Sequence, residues 1–224
     1  MKATKFFSDH EKTRIAQAVA GAEALTSAEI VPVVAASSGR YDRAEDIVGL
    51  WTGATAMAAT WLAFHWQTGA DAQWGPSWGR YELPLLVSAL ALGFVAGTLA
   101  AGYIPVVRRV FAPRKEMNAE VSAAASRLFC DRRVHHTAGN EGLLIYVSLF
   151  ERMAAVIADE TVLKALGTPA LSGLCEKLID GIRAGDTATA LCDVIAEAGR
   201  ILAPVLPRAD GDKNELGDAL ILVD

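Results

Sequence analysis

At 224 residues and 23.7 kDa, with 52% apolar residues and a mean hydropathy of +0.28, the chain is more apolar than an ordinary soluble domain of its size needs to be. A net charge of −5 argues against a broad nucleic-acid platform. Three cysteines, odd in number, widely spaced and without a C-x-x-C pair, argue against a disulfide framework and fit a reducing compartment.

Ser8-Asp9-His10-Glu11 has the order of a capping box, and Ile15, Ala18, Val19, Ala22 and Leu25 recur at helical spacing, which predicts a first helix to about residue 25. This amino-terminal stretch is polar-faced and has no apolar secretory core. Residues 28–36 follow as a strand whose Ile30, Val31, Val33 and Val34 are β-branched on both faces, as a buried central strand requires. Pro32 is the awkward residue in that strand and predicts a bulge or an edge-like register.

Residues 47–66 and 83–107 contain no Asp, Glu, Lys or Arg, and each is long enough for a bilayer core, which takes about 20 helical residues. They predict a transmembrane hairpin with a connecting loop at 67–82. Trp51, Trp66, Trp74 and Trp78 are the expected interface belt, with Arg108 and Arg109 on the basic flank. Ala89, Gly93, Gly97 and Ala101 recur every four residues and predict a close helix contact, with Ala54 and Ala58 as the partner surface. The flanks facing the rest of the chain carry Arg40, Arg43, Arg108, Arg109, Arg114 and Lys115, whereas the loop has only Arg80. The positive-inside rule then places both termini in the cytoplasm and makes the protein a two-span component of a bacterial cytoplasmic membrane.

Downstream, the periodicity predicts a helix over 117–129, strands over 142–149 and 153–158 joined by a tight antiparallel connection, a helix from Thr168-Pro169 to Gly185, and a last helix capped by Asp186 and ended by Pro204. Residues 219–223 read as a terminal strand. The sum is an α/β domain with a mixed sheet of about four strands, divided into 1–45 and 109–224 by an insertion at 46–108.

Phe7-Ser8, Thr26-Ser27-Ala28-Glu29-Ile30-Val31, Gly142-Leu143-Leu144-Ile145-Tyr146-Val147-Ser148, Glu151-Arg152, Ala158-Asp159 and Asn214-Glu215-Leu216, in this order and spacing, resemble a TPM domain over nearly the whole chain. The sequence is similar to the bacterial branch in which a two-helix hairpin splits the domain after its first strand. That resemblance implies an α/β/α sandwich. Other members include a thylakoid lumen factor with phosphatase activity and divalent-ion binding, and an auxiliary subunit of a neuronal receptor, so the resemblance bears on fold more than on function.

The residues contain no cysteine-phosphatase loop, no G-x-x-x-x-G-K-[ST], no H-E-x-x-H and no G-x-S-x-G. His135 and His136 are adjacent rather than four apart and read as exposed residues at a helix end. The remaining chemical candidates are acidic. Asp210, Asp212 and Asn214 alternate as in the opening of a calcium loop, followed by Glu215 where that loop has glycine and by Ile221 where it has a carboxylate. With Glu29 and Asp159 at strand ends they form a candidate site for calcium or magnesium. Asp159 has a second reading, as the cap of a short helix beginning near Glu160. Two functions follow: a non-catalytic, membrane-tethered interaction or assembly module on the cytosolic face, whose partners are the lipid bilayer and another membrane or peripheral protein, or a divalent-metal-dependent phosphatase. Whether the protein is an enzyme is open at this point, and the small-residue ladder is equally compatible with a homo-oligomer.

Overall fold

A computed structural model describes residues 2–39, 41–68, 79–104, 106, 109, 112–137, 139–208 and 216–224. The chain divides into two compact units, one made of Met1–Gly39 with Lys115–Asp224 and the other of Arg40–Arg114.

In the first unit, helix α1 (Asp9–Glu23) begins at the predicted box: the Glu11 amide donates to Ser8 Oγ, and the Ser8 amide donates to the Glu11 carboxylate. Strand β1 (Glu29–Ala35) follows and is buried along its length. After the second unit come α4 (Arg114–Asp131), β2 (Gly142–Ser148), β3 (Met153–Ala158), α5 (Glu160–Ala184), α6 (Thr187–Leu202) and β4 (Ile221–Val223), with 3-10 turns at Ala3–Lys5 and Val134–His136. The strands form one mixed sheet in the order β3-β2-β1-β4, with β1 parallel to β2 and β4 and β2 antiparallel to β3. The α/β class with four strands therefore stands.

Alternation along the strands separates two apolar clusters. Ile30, Val34, Leu143, Ile145 and Val147 meet side chains of α1, α5 and α6, while Val31, Val33, Leu144 and Tyr146 meet Val121 and Ala125 of α4 together with Val134.

Pro32 lies in the second strand from one edge of the sheet, and neighbouring hydrogen bonds show why it is tolerated. The Ala36 amide donates to Val223 O of β4, so the amides of even-numbered β1 residues point toward β4. That strand begins only opposite Val33. Among the described residues no β4 pairing reaches residue 32, so the missing proline N–H breaks no ladder bond. One pair earlier, the Ile30 amide donates to the Glu23 carboxylate at 2.9 Å.

Helix α5 starts earlier than expected. Asp159 caps it by accepting from the Glu160 amide, and the Thr168-Pro169 start survives as a break at Gly167, whose φ of +74° no β-carbon-bearing residue adopts cheaply.

The second unit contains helices α2 (Asp42–Thr68) and α3 (Gly79–Tyr103), which pack antiparallel. Gly93 and Gly97 do form the seam, and Ala101 is buried, whereas Ala89 is only half-buried. Their partners are Gly49, Thr52, Gly53 and Ala56, not Ala54 and Ala58. Ala58 is exposed. A β-carbon on Gly93 would approach Gly53 Cα to 2.9 Å, and one on Gly97 would collide with Thr52 Oγ1. Thr52 Oγ1 also donates across the seam to Gly93 O at 3.0 Å.

The expected two-span integral membrane protein is not what the helices give. Among the described residues one helix, Tyr81–Tyr103, is long and apolar enough to cross a membrane, and 6% of it is buried. Helix α2 carries Glu45 and Asp46 in its first turns and Gly49, Thr52, Gly53, Thr55 and Thr60 along its length, and it is not among the described helices that meet that length and apolarity. The cytoplasmic-membrane topology derived from two spans falls with it.

Candidate functional site

The start of β1 gathers the polar side chains of the first unit. Thr26 Oγ1 donates to Leu206 O at 2.6 Å and accepts from the Ala28 amide at 3.2 Å, while the Ser27 amide donates to the same carbonyl. The Thr26-Ser27-Ala28-Glu29 motif thus fastens the entry of β1 to the segment after α6. Beside it a cavity of about 200 Å³ is lined by Ala20, Glu23, Thr26, Ala28, Glu29, Arg208 and Asp218.

Two carboxylates enter this cavity from different elements. Glu29 is 6% exposed and accepts from the Leu216 amide at 3.2 Å. Glu23, at the end of α1, is pushed up to about 7, first by burial and then by Glu29 and Asp218; the Ile30 amide and Arg208 oppose the rise. Sequence reasoning did not single out Glu23. The available signal was a carboxylate six residues before Glu29 across a helix-to-strand turn.

Glu29 and Asp159 do share one end of the sheet: Glu29 pairs with Gly142, and the Asp159 amide donates to Gly142 O at 2.8 Å. Asp159, however, spends one oxygen on the cap of α5, while its Oδ2 is enclosed without a hydrogen-bond partner among the described residues. The positive end of the α5 dipole favours a carboxylate there. Asp210, Asp212, Asn214 and Glu215 lie outside the described residues. Among the described residues no three His, Cys, Asp or Glu side chains are grouped as metal ligands.

A second polar cluster sits at the opposite end of the sheet. Glu151, 4% exposed in the β2–β3 turn, accepts from Ser148 Oγ, from the Ser38 amide at 2.8 Å and from Ser37 Oγ at 3.3 Å. Ser38 Oγ pairs with the Tyr146 hydroxyl at 2.8 Å, and burial raises that phenol's pKa. Glu151 therefore ties the exit of β1 to the β2–β3 turn. Arg152 completes the turn in the left-handed region, at φ +52°. The Glu151-Arg152 motif is turn chemistry, with the carboxylate as acceptor and the arginine as the left-handed residue.

His135 and His136 are both exposed, and His135 Nδ1 lies 3.4 Å from Phe129 O at the end of α4. Trp51 and Trp66 are 67% and 91% exposed, and Arg109 is half-buried. Trp74, Trp78 and Arg108 lie outside the described residues. The three cysteines are free, and Cys175, half-buried, donates to Ala154 O at 3.2 Å along the outer edge of β3.

No family model matches the chain, and no curated protein does. Among solved structures, the chain is similar to the NMR structure of the BA42 protein from the psychrophilic bacterium Bizionia argentinensis, at a TM-score of 0.56 and 15% identity, over 97% of this chain and 95% of that one. At that identity the likeness is one of fold.

Proposed function

We propose that the protein is a non-catalytic interaction module of the TPM type, a helix–sheet–helix sandwich held at a lipid surface by the helical hairpin of its second unit. The TPM assignment is supported by the order of the short motifs and by the jobs they do: capping box, β1 anchor, Glu151 clamp and Asp159 cap are the joints of this α/β fold.

The observation that carries the tether is the hairpin's surface. Helices α2 and α3 bury a seam of Gly49, Gly53, Gly93 and Gly97 and turn large apolar side chains outward. Leu50, Trp51, Leu62, Trp66, Tyr81, Leu83, Leu92 and Tyr103 are each at least 59% exposed. So many large apolar side chains exposed on two packed helices are costly in water and favour contact with lipid or a partner. The phosphatase alternative rests on the family resemblance and on the acidic candidates, of which Glu29 and Asp159 share one sheet end while Asp210, Asp212, Asn214 and Glu215 lie outside the described residues.

Vesicle flotation tests the tether. The full chain, reconstituted from detergent with phosphatidylcholine and phosphatidylglycerol, is expected to rise with the vesicles and to stay with them in 1 M salt. Recovery in the dense fraction, or release by salt, contradicts it.

A further inference from the structure

We draw no further inference here: the strongest candidate, the cavity at the start of β1 between Glu23, Glu29 and Asp218, is an acidic cluster with Arg208 already in its wall, and nothing further among the described residues points to a ligand in it.

Discussion

Arg133, Asn140 and Arg152 are the described non-glycine residues with positive φ, and Arg152 has the plainest consequence. An L-residue with a bulky side chain held in the left-handed region costs about 1 kcal/mol relative to glycine. Arg152→Gly is expected to raise unfolding stability by about that amount, read as a higher denaturant midpoint at unchanged slope. Glu23 makes the opposite kind of demand. Its folded pKa, about 7, lies above its ordinary 4.5, so between those values the folded state retains a proton that the unfolded chain has released. Its contribution is full below pH 4.5 and is lost as the pH rises through 7. For a half-buried group that loss is about 2 kcal/mol after discounting for solvent. Glu23→Gln keeps an acceptor for the Ile30 amide and is expected to flatten the fall in melting temperature between pH 5 and pH 8; an unchanged pH profile would show that Glu23 does not titrate there. The positions of Glu29 and Asp159 at one sheet end were legible, because Glu29 opens and Asp159 follows strands that the apolar pattern had already located. Their jobs as amide acceptor and helix cap were less so, and Glu23 was invisible because its burial arises only when α1 folds back on β1.

Among the helices and strands, those with strong local signals appeared where periodicity put them. The Ser8 box starts α1, the tight 149–152 connection makes β2 and β3 antiparallel, and Asp186 caps α6. Pro32 read as an anomaly because the length of β4, which decides whether its missing amide matters, is not written near residue 32. The hairpin seam was half legible. The ladder at Gly93 and Gly97 was identified, but Ala54 and Ala58 were chosen over Gly49 and Gly53, whose four-residue spacing carried the same signal. With backbones this close, Gly97→Leu is expected to destabilise the packed hairpin by about 2 kcal/mol. Its helical melt in detergent should shift down accordingly. Gly102→Ala, whose new β-carbon would lie an ordinary 3.7 Å from Glu45, is the control expected to leave the melt in place.

Taken together, the two units separate two tasks. The α/β unit carries the polar joints, while the hairpin unit carries the exposed apolar surface. Apolar runs alone suggested two spans, and among the described residues one helix meets that description. All five tryptophans, at 51, 61, 66, 74 and 78, fall in the hairpin unit and none in the α/β unit, so intrinsic tryptophan emission reports on the hairpin alone. Quenching of that emission in vesicles containing brominated phosphatidylcholine therefore probes lipid contact at its source. Strong quenching with a blue-shifted maximum is the result expected of a lipid-held hairpin. Emission that brominated lipid leaves unchanged would show that Trp51, Trp61 and Trp66 do not meet hydrocarbon, and the tethered module would have to be abandoned.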